Sequence, residues 1–278
     1  MALAEIVLHD ALTVAACSDP GVVRAHNEDA VFVDADFGIA VLADGMGGYN
    51  AGEVASSMAT TLLATSFSRL LRGAAEAPEV LGNPEQIMSD EVRGTNSAIY
   101  RASQSSAACA GMGTTLVFAW ILGRQLHLAH VGDSRAYLWR RGTLHLLTKD
   151  HSLLQEQLDE GLISPEAARH AEHRNLVTRA LGVESDVLVD TATHLLEPDD
   201  IVLLCSDGLN DMLEDQEIGE LLGQDKFSLA TRAEHLVERA NEYGGRDNVS
   251  VILLRLDAHS AAQPAAKRWW HGFLNQAK

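Results

Sequence analysis

Residues 114–148 read TTLVFAWILGRQLHLAHVGDSRAYLWRRGTLHLLT. Four strand-like runs stand out, at 114–122, 125–131, 136–139 and 144–148. Gly123-Arg124 joins the first pair and Arg140-Arg141-Gly142 the second. Short β-branched and aromatic runs closed by glycine-bearing turns predict consecutive antiparallel hairpins.

The same reading extends outward. On the N-terminal side, 12–16 is a predicted strand, and 30–33 with 38–43 a hairpin turning at Asp34-Ala35-Asp36. Residues 51–71 carry Val54, Met58, Leu62 and Leu63 at helical spacing; a Gly, Pro and Asn-rich loop (73–84) leads to a second helix over about 85–103. On the C-terminal side, a short helix starts near Asp150 or Ser152 and stops at Gly161, and Ser164-Pro165-Glu166 opens another with proline at its first position. Strands 188–196 and 201–205 flank Glu197-Pro198-Asp199-Asp200. Two helices follow, capped at Asp215 and at Ser228, the second ending at Gly244-Gly245, and 249–256 is the last strand. Strands arrive as hairpins and long helices in pairs, so the expected fold is helices packed on antiparallel sheets, not a doubly wound parallel sheet.

The 278 residues suffice for a sizeable core, and 46% hydrophobic with 22% charged is a soluble globular composition. No apolar run approaches the ~18 residues of a membrane span. Residues 1–10 contain acids and no basic stretch, which argues against a signal peptide, and the expected location is cytoplasmic. A formal net charge of -18 disfavours nucleic acid and anionic membranes as partners while suiting divalent cations. Cys17, Cys109 and Cys205 form no C-x-x-C pair and imply neither a disulfide framework nor a zinc site. Six positions after each stand Val23, Thr115 and Asp211, not arginine, so the loop of cysteine-nucleophile phosphatases is absent. Past Asp257 the composition shifts: 258–266 reads as a linker and 267–274 is basic and aromatic, either a docking tail for a partner or a frayed or packed terminus.

Three apolar strands end alike, at Asp44-Gly45, at Asp133-Ser134 and at Asp207-Gly208; Asp247 stands just before the last strand. One aspartate at a strand end is an ordinary turn residue. Four could converge at one end of a sheet, where carboxylates repel strongly unless protons or cations neutralise them. With no histidine or cysteine at ligand spacing beside them, the donor set is all oxygen and suits Mg²⁺ or Mn²⁺. In Asp44-Gly45-Met46-Gly47-Gly48 the glycines allow a sharp turn and a carbonyl beside a carboxylate. Upstream, Arg24 can present a planar pair of donors to a phosphate, and Glu28 and Asp29 can accept hydrogen bonds from metal-bound waters.

Arg24-x-x-Asn27-Glu28-Asp29, Asp44-Gly45-Met46-Gly47-Gly48, Gly111-Met112-Gly113-Thr114-Thr115, Val131-Gly132-Asp133-Ser134-Arg135, Cys205-Ser206-Asp207-Gly208-Leu209 and Gly245-Arg246-Asp247-Asn248 occur in this order. Together they resemble the metal-dependent protein phosphatase family, the type 2C-like serine/threonine phosphatases, in its bacterial branch, over roughly 12–256. Thr148-Lys149-Asp150-His151-Ser152 and the helical stretch after it look like that branch's flap, about 148–180 within a phosphatase domain of 1–257.

The resemblance implies an α+β fold, a four-layer α-β-β-α sandwich with two central antiparallel sheets flanked by helix pairs. It implies Asp44 bridging two metal ions, the Gly45 carbonyl completing one site, Asp207 and Asp247 the other, and Asp133 with Asp207 holding a third. Arg24 would bind the substrate phosphate, and a metal-bridging water would attack phosphorus with no phosphoenzyme. Phosphorylated proteins are the implied substrates, with a eukaryotic-type serine/threonine kinase and its targets as counterparts. The family's eukaryotic members carry a histidine after the Asp-Gly, thought to protonate the leaving oxygen; Met46 stands there in this chain, as in the bacterial branch, and the acid would then be a metal-bound water.

Two rival readings are a catalytically inactive scaffold on the same fold and a phosphoesterase acting on small phosphates. Inactive scaffolds usually lose a metal aspartate, whereas Asp44, Asp133, Asp207 and Asp247 are all present, which favours an enzyme. Turnover of phosphopeptide against nucleotide separates the second. Gly132 to Ala136 reads G-D-S-R-A, not the G-x-S-x-G of a serine-hydrolase elbow, and no P-loop or H-E-x-x-H occurs.

Overall fold

The computed structural model describes residues 3–8, 12–48, 51–76, 82–105, 107–164, 167 and 176–257. Its strands are β1 (Leu3–Leu8), β2 (Leu12–Asp19), β3 (Asp29–Asp34), β4 (Ile39–Met46), β5 (Gly113–Thr114), β6 (Leu116–Leu122), β7 (Gln125–Val131), β8 (Arg135–Arg140), β9 (Thr143–Leu146), β10 (Asp190–Leu195), β11 (Ile201–Cys205) and β12 (Val249–Leu256). The helices are α1 (Ala51–Glu76), α2 (Pro84–Ser105), α3 (Leu153–Asp159), α4 (Asp207–Asn210), α5 (Asp215–Leu222) and α6 (Leu229–Glu242). One sheet runs β1-β2-β12-β11-β8-β9 and the other β10-β7-β6-β4-β3, with β5 paired to β4. Every pairing between named strands is antiparallel.

Side-chain alternation along the strands builds the layers. Ala40 and Leu42 of β4 join Leu128, Leu138, Leu204 and Leu254 in a core between the two sheets. Their neighbours Ile39, Val41 and Ala43 face the other way, onto Leu63 and Phe67 of α1 and Met88 and Val92 of α2. On the opposite outer face, Leu203, Cys205 and Val251 pack on Ile218 of α5 and Leu236 of α6. Central strands therefore bury both faces, which is why runs such as 39–43 are apolar without alternation. The Phe67 ring meets Phe118 and Trp120 edge to face, at 4.9 and 5.1 Å between centroids. The expected α-β-β-α sandwich is what the chain forms.

Local expectations hold with instructive exceptions. The predicted hairpins at 114–131 and 136–148 both form, but they lie in different sheets, and the chain crosses between sheets at 132–134. Helix α1 continues past Gly73 to Glu76: a single glycine costs about 1 kcal/mol, too little to stop a helix already propagating. Asp215 is the first residue of α5, not its cap; Glu214 occupies the cap position, and Asp215 accepts a hydrogen bond from the Tyr137 hydroxyl at 3.2 Å. Ser228 caps α6 as expected, accepting from the Thr231 N–H. Ser152 caps α3 the same way, from Gln155. Ser164 Oγ accepts from the Ala167 N–H at 3.2 Å, the hydrogen bond expected of a cap, while most of the helix predicted to come after it, and the 258–278 tail, lie outside the described residues. β1 and α4 have no counterpart in the sequence reading.

Candidate metal centre at one end of the sandwich

Asp44 stands near the end of β4, where the second sheet hands the chain to α1. Its N–H donates to Thr115 Oγ1 at 3.1 Å. Its carbonyl accepts from the Thr115 N–H at 2.9 Å and from the Thr114 hydroxyl at 2.8 Å. Gly45 is required sterically: a Cβ there would lie 2.1 Å from the Gly52 carbonyl oxygen and 2.6 Å from that of Glu28. Its absence lets the first turn of α1 close against the strand end. The β3–β4 register sets Asp29 directly opposite Asp44.

The first sheet supplies the facing acids. Asp207 opens α4 immediately after β11, and Asp247 stands just before β12. The two strands pair, and Ser206 ties their ends: its N–H donates to the Ser250 carbonyl at 3.1 Å and its Oγ accepts from the Ser250 N–H at 2.9 Å. The same hydroxyl donates to Asp29 Oδ2 at 2.8 Å, linking the two sheets across the site. Asp133 sits at the crossing from β7 to β8 and is 7% exposed. Gly132 before it adopts φ 107°, and a Cβ there would meet the Thr115 Cβ at 2.7 Å, so only glycine makes this turn. All the acids singled out in the sequence thus reach the same end of the sandwich.

Their electrostatics record the crowding. Burial, then the charges of Asp29, Asp207, Asp133 and Asp247, hold the Asp44 carboxyl well above the usual range. Asp207 is raised likewise by burial, then by Asp133, Asp211, Asp247 and Asp29. Burial lifts Asp29 to about 6, against hydrogen bonds from Ser250 and Ser206. Asp133 also reaches about 6, through burial and the charge of Asp150. Asp29 Oδ1 and Asp207 Oδ1 are buried with no hydrogen-bond partner. Orphaned carboxylate oxygens inside a repelling, all-oxygen cluster fit hard divalent cations.

At the rim, Arg24 Nη2 donates to Asp247 Oδ2 at 2.7 Å, so the phosphate-binding candidate already reaches a metal-ligand candidate. Glu28 contributes through its backbone. Its carbonyl accepts from the Gly45 N–H at 3.1 Å and Ser56 Oγ at 2.6 Å, and its N–H donates to Asn248 Oδ1 at 2.7 Å. Burial raises its carboxyl, with Arg24 opposing and Asp247 adding.

Sequence reasoning gave no role to several residues of the site, among them Thr114, Thr115, Ser206, Asn248 and Asp211. Asn248 staples the loop carrying Arg24, donating through Nδ2 to the carbonyls of Pro20 at 3.0 Å and His26 at 2.9 Å. Its position directly after Asp247 was the available signal. Asp211 faces Asp133 and Asp207 from the end of α4, and its N–H donates to the Asp207 carbonyl at 2.8 Å. Four residues separate it from Asp207, one helical turn, but a helix this short gave no periodicity to read.

A family model described as Protein phosphatase 2C matches residues 22–253. The serine/threonine phosphatase stp of Listeria welshimeri is 42% identical over 240 residues, 85% of this chain and 93% of that protein. The crystal structure of the Mycobacterium tuberculosis serine/threonine phosphatase PstP/Ppp superposes with a TM-score of 0.79 at 39% identity, covering 89% of this chain and 99% of that one. A structure of the catalytic domain of PstP in complex with 2 manganese ions superposes at 0.76 with 38% identity, covering 89% and 99%.

Proposed function

The chain belongs to the protein phosphatase 2C family and is a metal-dependent serine/threonine phosphatase; on that premise we propose that Asp44, Asp207, Asp247 and Asp133, with the Gly45 carbonyl, hold two Mn²⁺ or Mg²⁺ ions and a third, and that Arg24 binds the substrate phosphate. The single observation that carries this assignment is the burial of unpartnered Asp29 and Asp207 oxygens among carboxylates that repel one another.

When bound, divalent ions supply Lewis acidity and lower the pKa of water until it serves as the nucleophile. The chain's own contribution is placement. Thr114 and Thr115 fix the Asp44 backbone, Ser206 orients Asp29, and Asn248 holds the Arg24 loop beside Asp247. Asp29 and Glu28 would accept hydrogen bonds from waters around bound ions. Arg24 sits 53% exposed at the rim, where its guanidinium can leave Asp247 and close on an entering phosphomonoester.

The substrates are phosphorylated proteins; a eukaryotic-type serine/threonine kinase and that kinase's targets, in the cytoplasm, are the counterparts this reading selects. Among the described residues no helix is long and apolar enough to cross a membrane. In this reading the phosphatase domain spans 1–257, with a flap at about 148–180, and 258–278 is a linker followed by a basic, aromatic tail.

The decisive experiment measures turnover of phosphothreonine, phosphoserine and phosphotyrosine peptides beside a nucleotide. EDTA abolishes activity, Mn²⁺ restores it, and phosphothreonine and phosphoserine peptides are preferred. Nucleotide hydrolysis outpacing phosphopeptide hydrolysis would overturn the substrate assignment.

A further inference from the structure

We propose that His151 is a positioning residue, which clamps the Gly132–Asp133 turn from the flap side and thereby sets where the Asp133 carboxylate stands. The proposal rests on the reading of Asp133 as an ion ligand.

His151 is 5% exposed and lies just before α3, outside the acid cluster. It grips Gly132 twice. The His151 N–H donates to the Gly132 carbonyl at 2.9 Å, and His151 Nδ1 accepts from the Gly132 N–H at 3.0 Å. Both backbone groups of the residue before Asp133 are thus engaged by one side chain and its own main chain. Thr115 also packs on Gly132, with no room for a Cβ. The turn is thus contacted both by the residue that fixes the Asp44 backbone and by the base of the flap.

The neighbours of His151 support the clamp. Its ring stacks on His130 at 4.7 Å, and His130 Nε2 donates to the Lys149 carbonyl at 3.0 Å. Arg135 makes a forked pair with Asp150, at 2.9 and 2.7 Å. Thr148 Oγ1 accepts from the Ala136 N–H at 3.1 Å. Residues 147–151 are therefore zipped along 132–136, and the Thr178 N–H donates to the His151 carbonyl at 2.8 Å, joining the returning stem of the flap to the same point.

The alternative use of this cluster is a separate metal site, since His130, His151 and Asp190 bring ligand atoms within 4.8 Å of one another. The hydrogen bonding argues against it. A backbone N–H occupies the lone pair of His151 Nδ1, so in the neutral ring the proton resides on Nε2, and neither nitrogen is left to coordinate. Asp190, 3.3 Å from that Nε2, is paired with Arg179 at 2.8 Å. Burial, with His130 and Arg179 adding and Asp190 opposing, lowers the His151 pKa to about 4, which keeps Nδ1 an acceptor near neutral pH.

The test compares His151→Asn, whose amide oxygen can replace Nδ1, with His151→Gln, which reaches toward Asp190 but loses that acceptor, and with His151→Leu and Asp133→Asn. Bound Mn²⁺ is counted by calorimetry, amide exchange at Gly132 is followed by NMR, and kcat and KM are measured on a phosphopeptide. The expected result is that His151→Gln and His151→Leu weaken, by about tenfold or more, the same ion that Asp133→Asn loses, and speed Gly132 exchange. His151→Asn restores both, and KM changes little. If His151→Leu does not fold, the Asn and Gln pair decides. Wild-type Mn²⁺ affinity in His151→Gln, alongside an ion lost in Asp133→Asn, overturns the clamp. Unchanged Mn²⁺ binding in Asp133→Asn overturns the ligand reading beneath it.

Discussion

Asp29 and Asp44 stand directly opposite each other on β3 and β4, two carboxylates facing across an antiparallel pair at the end of a sheet. Like charges so placed destabilise a sheet unless something neutralises them. The consequences are measurable.

In the metal-free protein, protons do the neutralising. Asp29 and Asp133 titrate at about 6 and Asp44 and Asp207 well above their usual value, whereas in the unfolded chain all titrate at about 4. Between those limits the folded state holds protons the unfolded state has released. Their contribution is full below the unfolded pKa and is lost as pH rises through the folded one. Asp44→Asn removes one such group. In EDTA it is expected to melt higher than wild type at about pH 7.5, with the difference vanishing by about pH 4, at roughly 2–4 °C per kcal/mol. Saturating Mn²⁺ reverses the order, because it stabilises wild type more. Equal melting temperatures in EDTA at both pH values would remove the case for a repelling cluster.

Asp44→Ala and Asp207→Ala are expected to lose turnover of a phosphothreonine peptide while keeping the wild-type circular dichroism spectrum. Deleting a carboxylate from a cluster of like charges relieves repulsion and opens no large core cavity. Wild-type turnover in both variants would refute the metal assignment.

Arg24 and Asp247 form an ion pair with 53% and 30% side-chain exposure, a geometry that contributes about 0–1 kcal/mol to stability. Arg24→Ala should therefore melt like wild type, yet kcat/KM should fall about 10²-fold through loss of a phosphate-directed donor pair. Arg24→Lys should recover only part, because an ammonium is a point charge and not a fork. A drop in melting temperature that accounts for the lost activity would contradict this.

Gly45→Ala tests the contact between strand end and helix. The added methyl would meet the Gly52 carbonyl oxygen at 2.1 Å, and both partners are backbone, so α1 or β4 must shift. The expected outcome is a melting temperature lower by several degrees, at roughly 2–4 °C per kcal/mol, together with weaker Mn²⁺ binding. Gly48→Ala, with nothing within 4 Å of its added carbon, is the control and should match wild type in Mn²⁺ affinity.

Much of the fold was legible locally. The runs at 39–43 and 201–205 are apolar at every position, and the structure covers both their faces. Ser228 announced α6, and Ser152 was one of the two starts, with Asp150, read for α3, because a capping hydroxyl acts within one turn. Gly73 and Asp215 misled at boundaries, since a glycine's local cost and an aspartate's capping tendency both yield to helix propagation and to a distant hydroxyl, Tyr137. α4 is too short to show a period.

By itself the sequence determined which aspartates stand at the ends of apolar strands, and that the order of motifs matches one phosphatase family. Sequence spacing carries no information on which strands become neighbours, and that the tertiary structure alone decided: the chain changes sheets at Gly132–Ser134, pairs β11 with β12, and so brings Asp207 and Asp247 to face Asp44 and Asp29. The use of His151 as a clamp and of Asn248 as a staple was equally invisible, because a hydrogen bond between residues 19 or 220 positions apart leaves no trace in local pattern.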